Sequence, residues 1–550
     1  MVRADNKRAL QTRRTAVCLA GAGALLIAGC TVQPKPLADA ERQAEAQNDL
    51  KAMFANQEPL THPLSLQEAY ARAVKYNLDR RVKVMEEVVA FDGLDVSKYD
   101  MLPKLTADAG YLNRSNVLAE SSESVATGQQ SLVPSTSTDS NRATLGLTLS
   151  WNILDFGVSY FAARQNANRV LIAAEHRRKV AQNLIRDVRS AFWRAASAQV
   201  LAAKIDDSIK SSEAALAASR SVESQALRAP VDALRYQHLL LDLLRQLEEV
   251  RHRLMLAKTE LASLIDLPPG QDFTLATIPE KEMTYEPLKE PIDRLEQVAL
   301  VRNPDLRELS YQSRISVDEV HKSILRVLPG LSFTYGPQYD SNSFLVNSWW
   351  GEGAARISWN LLYLLSAPRV IRQADDSVRL AEAQRQAVAM AVLTKLHLAY
   401  QQYLDAGKEY ARARDLAQVD DSIYGQVSNR TAAQAQAGLE QIVAEVSAVA
   451  STLRQYESYS NMQAALGRIY DTVGIDIDPA NLARLDAGVL TRETEAIMAS
   501  WQQGVAGAEP AAPEPDRSVA PPLPASVSGG QSVLDAIGRL FRSGTSGGNQ

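Results

Sequence analysis

The sequence runs through the same succession of signals twice. Residues 73–79, Ala-Val-Lys-Tyr-Asn-Leu-Asp, have a counterpart in residues 299–305, Ala-Leu-Val-Arg-Asn-Pro-Asp. Residues 101–105, Met-Leu-Pro-Lys-Leu, match residues 327–331, Val-Leu-Pro-Gly-Leu. Asn77 to Asn303 and Pro103 to Pro329 share one offset, 226. Further on, Leu-Ser-Trp-Asn-Ile-Leu at 149–154 pairs with Ile-Ser-Trp-Asn-Leu-Leu at 357–362, and Phe192 with Tyr400, at an offset of 208. The segment between Pro and Trp is therefore 18 residues shorter in the second half. Two homologous halves, residues 64–270 and 292–475 with a linker at 271–291, account for most of the chain.

Each half has the same grammar. An amphipathic helix, opened in the first half by the capping-box pair Ser65 and Glu68, runs to a Leu-Pro that stops it. Two segments of period two follow. Leu105, Ala107, Ala109 and Tyr111 alternate with Thr106, Asp108 and Gly110; Leu145, Leu147, Leu149 and Trp151 alternate with Thr144, Gly146, Thr148 and Ser150. Leu331, Phe333 and Tyr335, then Ala355, Ile357 and Trp359, repeat the pattern. One face is apolar and the other small or polar, which reads as strand. The predicted β-hairpins span about 105–151 and 331–359, with Ser/Thr/Asn/Gly-rich exposed loops between their strands. Leu145, Leu147, Leu149, Trp151, Phe333, Ile357 and Trp359 are the candidate barrel-strand and interface residues.

Helical hairpins are predicted at about 158–266 and 367–467. From about 161 to 225 and from 369 to 426, no Pro and no run of turn residues interrupts a heptad-like pattern, apart from the single glycines Gly407 and Gly425. A helix of about 65 residues is roughly 100 Å long. That length points to a coiled coil or another elongated assembly. Ala191, Ala195, Ala198, Ala202 and Ala203 at would-be core positions permit close helix approach.

The strands carry the decisive constraint. Backbone groups in hydrocarbon must be paired, so a membrane sheet has to close into a barrel of about eight strands or more. This chain offers four, each about 9–10 residues long, the length of a tilted membrane span. Several copies must supply one barrel jointly, and three would give twelve strands. The predicted fold is an α+β membrane protein built from two internal repeats: a β-barrel shared between copies, 12-stranded if trimeric, continued by a long α-helical coiled-coil barrel whose polar faces line water.

The first residues belong to export. Arg3, Lys7, Arg8, Arg13 and Arg14 precede an apolar run from Ala16 to Gly29, too short to span a bilayer as a helix, and residues 1–29 are expected to be a signal peptide. The run ends Leu-Ile-Ala-Gly-Cys, which resembles the bacterial lipoprotein cleavage motif, with Cys30 as the acylated first residue and Thr31 after it directing passage to the outer membrane. Cys18 would be removed, leaving no intrachain disulfide. Residues 30–63 read as a lipidated linker, 476–503 as an equatorial C-terminal segment, and 504–550 as a Pro/Ala/Gly/Ser-rich flexible tail. In that tail Val533, Leu534, Ile537, Leu540 and Phe541 recur at helical spacing.

Charge and composition remove other classes. Lys+Arg 59 against Asp+Glu 64 gives a net charge of −5, so no basic surface invites nucleic acid. The six histidines are scattered, none at metal-ligand spacing, and no Gly-rich phosphate loop or nucleophile elbow occurs. The chain reads as no enzyme, with no cofactor. A periplasmic coiled-coil adaptor or scaffold lipoprotein without a pore is the remaining alternative; it explains the helices and leaves the duplicated hairpins unexplained.

The order of helix, Asn-Pro-Asp-like turn, Leu-Pro, hairpin, Trp-Asn-Ile-Leu-Asp-Phe-Gly at 151–157 and long helical hairpin, closed by Leu-Pro-Pro-Gly at 267–270, resembles the TolC-like outer membrane factor family over about residues 64–475. The resemblance implies a homotrimer in outer membrane lipid, docking through its periplasmic end onto an adaptor and an inner-membrane pump. Lipidated N-termini occur in the family's drug-efflux branch, toward which the expected acyl anchor points. It also implies a closure at the helix tips by charged residues. In the first half Arg228 and Asp232 stand where that tip motif is expected. In the second the tip is either Asn-Arg-Thr at 429–431 or Gly-Leu-Glu at 438–440, with Gln434 or Ala444 respectively in the acidic slot. Arg430, Glu440 and Glu445 are then the gate candidates. Replacing Cys30 with Ala is expected to abolish incorporation of labelled palmitate into the protein in growing cells.

Overall fold

The computed structural model describes residues 34–55, 57–131, 133–224, 230–276, 283–434, 439–475 and 486–502. The expected signal peptide, Cys30, Arg228, Gly438 and the tail lie outside the described residues. The chain divides into two units, residues 1–56 and 57–550. The first contains helix α1 (Asp39–Met53), which buries none of its side chains.

In the second unit, helices α2 (Leu66–Tyr76) and α3 (Leu78–Tyr99) precede strands β1 (Lys104–Asn113) and β2 (Asn141–Asn152) and helices α4 (Ile153–Ser224) and α5 (Pro230–Leu264). Then come α6 (Ile292–Arg302), α7 (Pro304–Leu325), β3 (Gly330–Asp340), β4 (Trp349–Ser358), α8 (Tyr363–Gln434), α9 (Leu439–Val473) and α10 (Ala487–Gln502). The lengths of α2 to α5, 11, 22, 72 and 35 residues, recur in α6 to α9.

The repeated sequence signals are helix ends. Asn77 Oδ1 accepts the Arg80 amide at 3.1 Å and caps α3, while its Nδ2 donates to the Leu264 carbonyl at the end of α5 (3.4 Å). Asn303 does both jobs for α7, accepting the Asp305 amide and donating to the Thr472 carbonyl, each at 3.0 Å. One asparagine thus supplies a free helix N-terminus with an acceptor and a free C-terminus with a donor. Asn152 and Asn360, each following a Trp, cap the long helices by accepting the amides of Leu154 (2.9 Å) and Leu362 (3.1 Å). At the start of α2, Ser65 Oγ accepts the Glu68 amide (3.1 Å). Glu68 does not return the bond of a capping box; its carboxylate faces His62 and Arg72.

The boundaries refine the sequence reading. Helix α4 starts at Ile153 because Asn152 caps it there, and α8 starts at Tyr363 and holds Pro368 as its sixth residue. So early in the helix the proline forfeits one ladder bond without breaking the element. Helix α9 runs on to Val473, past the expected end near Leu466, until Gly474 at φ 82° stops it. The Ile475 amide there bonds the Tyr470 carbonyl (3.2 Å), a Schellman closure. The matching residue after α5 is Asp266 at φ 59°, with the Leu267 amide on the Ala262 carbonyl (2.8 Å).

The helices form a layer in the order α5, α4, α9, α8, each packed on the next. The main core lies midway along the long helices, where α2, α6 and α10 join them: Phe192, Leu261, Leu396, Tyr410 and Met462 are all buried. A second core runs toward the tip through Leu201, Ile205, Leu240, Leu247 and Val446. Ala191, Ala195 and Ala198 are buried as expected, whereas Ala202 and Ala203 are exposed. Inside the main core the buried Arg189 donates to the Tyr70 hydroxyl at 2.8 Å and lies over the Tyr470 ring.

The four strands make one antiparallel sheet in the order β1-β2-β3-β4. Helices α3, α4, α7 and α8 join it at one end, and the loops 114–140 and 341–348 connect its strands at the other. In the β2–β3 ladder, pairing stops between Gly146↔Gln338 and Leu149↔Tyr335, opposite Gly336 and Pro337. Pro337 has no N–H to give, and the backbones close in: a Cβ on Gly336 would overlap the Leu147 carbonyl oxygen.

Two outcomes follow. Gly336→Ala should destabilise the fold by ~1–3 kcal/mol, the cost of overpacking of this kind, and lower its thermal midpoint. Gly351→Ala, whose nearest neighbour is the Tyr335 hydroxyl at 3.8 Å, should not. Burial pushes the Asp266 carboxyl up to about 6, against Gln57 Nε2 donating to its Oδ2 (3.0 Å). A raised acid favours the protonated form in the fold, so its contribution is complete below pH ~4 and lost as pH rises through ~6. Asp266→Asn keeps the left-handed residue and removes the charge. Its thermal midpoint should exceed that of the unsubstituted protein at pH 7.5, and the difference should shrink as pH falls to 4.

Candidate functional site

The sheet is turned inside out relative to that of a soluble protein. Along β2, Leu145, Leu147, Leu149 and Trp151 are the exposed positions, 41–47% accessible, while Thr144, Gly146, Thr148 and Ser150 are half-buried. Phe333 (41%) and Ile357 (73%) continue this apolar exposure on β3 and β4. Trp359 sits one residue past β4 and donates its indole N–H to the Val327 carbonyl at 3.0 Å. Trp349 and Trp350 open β4, with the Trp349 ring 4.8 Å from that of Tyr339. On the polar face Gln338 reaches across to the Thr148 hydroxyl (3.3 Å).

Both lateral edges are open. Among the described residues β1 pairs only with β2 and β4 only with β3, so each presents one row of unpaired backbone groups. The helical layer below ends in the same way, at α5 and α8. Leu234, Leu241 and Met255 on α5 and Met390, Leu398 and Val419 on α8 are all exposed. No described helix is long and apolar enough to cross a membrane.

At the loop end, two connections far apart in sequence lock together. Buried Asn342 accepts the Asp139 amide and donates to the Ser137 carbonyl, both at 3.0 Å, and the Ser343 hydroxyl donates to Asp139 (2.9 Å). Sequence periodicity could not find this lock, because its members are ordinary polar loop residues.

At the opposite end α8 runs through Gln434 and α9 begins at Leu439. Asn429, Arg430 and Thr431 therefore belong to the last turns of α8, and residues 435–438 lie outside the described residues. Arg430 and Glu440 form an ion pair between the two helices. Glu445 is not with them: its Oε1 accepts the Ser208 hydroxyl of α4 at 2.8 Å, tying the two helical hairpins together. At the offset of 208 that relates Trp151 to Trp359 and Asp266 to Gly474, Asp232 near the start of α5 answers to Glu440 near the start of α9, so an acidic residue stands at this position in both halves. Among the described residues no group of His, Cys, Asp and Glu could hold a metal ion.

No protein-family model matches the chain, and no curated protein matches its sequence. Solved structures do. The CmeC outer membrane channel of Campylobacter jejuni is similar at a TM-score of 0.59 and 12% identity, over 85% of this chain and 97% of that one. The outer-membrane channel OprN is similar at 0.56 and 17%, over 74% and 89%. The open state of the Neisseria gonorrhoeae MtrE outer membrane channel matches at 0.55 and 15%, over 74% and 88%. The chain, with its open four-stranded sheet and its four-helix layer of twice 72 and twice 35 residues, thus shares its fold with solved outer-membrane channels.

Proposed function

We propose that this chain is the outer-membrane channel of a tripartite efflux or type I secretion system. Three copies form a passive duct from periplasm to exterior that docks on an adaptor and an inner-membrane transporter. The observation that carries this reading is the sheet with an exposed apolar face and two unpaired edges. A sheet in hydrocarbon has to pair every edge group, and three copies joined β4 to β1 give a closed ring of twelve strands. The same rotation joins α8 of one copy to α5 of the next and covers the exposed leucines and methionines on both. The neighbours in structure are outer-membrane channels, which supports a conduit rather than an enzyme. A pore-free periplasmic adaptor accounts less well for the chain, since it would leave the apolar sheet face in water.

The duplication of element lengths supports an origin of the two halves in one repeat. At the tips, the Arg430–Glu440 pair, with Asp232 at the start of α5, forms the charged constriction of the closed duct. Purified protein should migrate as a heat-sensitive trimer and conduct ions across a planar bilayer; a soluble, non-conducting monomer would favour the adaptor. A deletion strain should become sensitive to a panel of drugs, whereas loss of a secreted polymer or protein with unchanged sensitivity would assign the duct to secretion. Arg430→Glu sets two acidic groups against each other at the tip. Single-channel conductance should rise, and the increase should fade at high salt as those charges are screened.

A further inference from the structure

The two halves differ at the foot of their long helices, just below the sheet. Residues 153–157, Ile-Leu-Asp-Phe-Gly, include a charge, and Leu154, Gly157 and Val158 are half-buried, so α4 rests one side on its own chain. Residues 361–365, Leu-Leu-Tyr-Leu-Leu, are five consecutive large apolar side chains, and all are exposed, from 46% at Leu364 to 79% at Leu365. The first buried residue of α8 is Ala374. The foot is wound, not loose: the amides of Tyr363, Leu364 and Leu365 bond the carbonyls three residues back at 3.0, 3.2 and 3.1 Å. Successive side chains on such a turn point about 100–120° apart, so five of them surround the axis. A neighbouring copy packed beside α8 can cover one side of it. No single protein surface covers all of them.

We propose that residues 361–365 are a lipid contact: the foot of α8 lies in the phospholipid leaflet on the helical side of the membrane and continues the apolar band of the sheet beyond its last paired residue, Ser358. The inference rests on the outer-membrane reading above and adds a site to it. Continuity favours phospholipid as the occupant. Trp359, whose indole N–H is satisfied by the Val327 carbonyl, leads directly from the sheet into the foot and adds its exposed ring to the apolar surface. Charge favours it as well. Arg369 and Arg372 are exposed, form no ion pair among the described residues, and follow Leu365 by about 6 and 10 Å along the helix, where lipid phosphates meet water. The matching foot of α4 has no such leucine ring, so the lipid contact occurs once per chain.

Nitroxide labels on full-length Leu362→Cys, Leu365→Cys, Leu149→Cys and Val419→Cys test this in vesicles of phosphatidylethanolamine and phosphatidylglycerol, with the unsubstituted protein, carrying Cys18 and Cys30, as the labelling background. Labels at 362 and 365 should collide with dissolved oxygen more than with a water-soluble nickel chelate, as at 149 and in contrast to 419. Nickel access at 362 and 365 alongside lipid access at 149 would overturn the foot while leaving the membrane sheet in place. Exclusion of both reagents from 362 and 365 would assign the foot to a subunit contact and also overturn the proposal. Nickel access at 149 itself would remove the outer-membrane reading and the foot with it.

Discussion

The unpaired backbone of β1 and β4 governs the rest of the structure. Each edge strand has spent one side on its hairpin partner and shows the other to its surroundings. In water such an edge invites aggregation, and in hydrocarbon each unsatisfied group costs several kcal/mol. The apolar face formed by Leu145, Leu147, Leu149 and Trp151 excludes water as a comfortable solvent for this sheet. Lipid on the face and protein on the edges satisfies both conditions together. The helical layer repeats the problem in another medium, for α5 and α8 end it with exposed apolar side chains. One arrangement of copies that closes the sheet closes the layer too.

Much of this was legible because the repeated residues act locally. Asn77 and Asn303 recur because each caps one helix and bridges to the end of another, and the two Trp-Asn pairs recur because their asparagines start the long helices. Period two marked part of each strand, since side chains there alternate between unlike surroundings, while β3 and β4 extend beyond the alternating residues to Asp340 and back to Trp349. Four strands, too few to close into a barrel, are also the ground on which several copies are proposed.

What stayed hidden depended on contacts distant in sequence. The interruption at Gly336 and Pro337 answers to the Leu147 carbonyl on another strand. Gly407, which looks like a weak point in α8, leaves room for the Tyr285 ring from the linker between halves. The second tip was ambiguous because Thr-Ala-Ala-Gln-Ala-Gln-Ala at 431–437 carries no stop signal, and counting back from Leu466 misplaces it. The true end of α9 is set by the left-handed Gly474, whose counterpart in the first half is an aspartate. That substitution hid the equivalence and left a buried carboxyl behind.

Joining of β4 to β1 between copies is tested most directly by cross-linking the edges. Chains carrying one cysteine on β1 and one on β4, scanned along both strands and oxidised in the membrane, should give covalent species of two and three chains, with the series ending at three because the ring has closed. Single chains at every pairing, or a ladder running beyond three, would contradict closure by three copies.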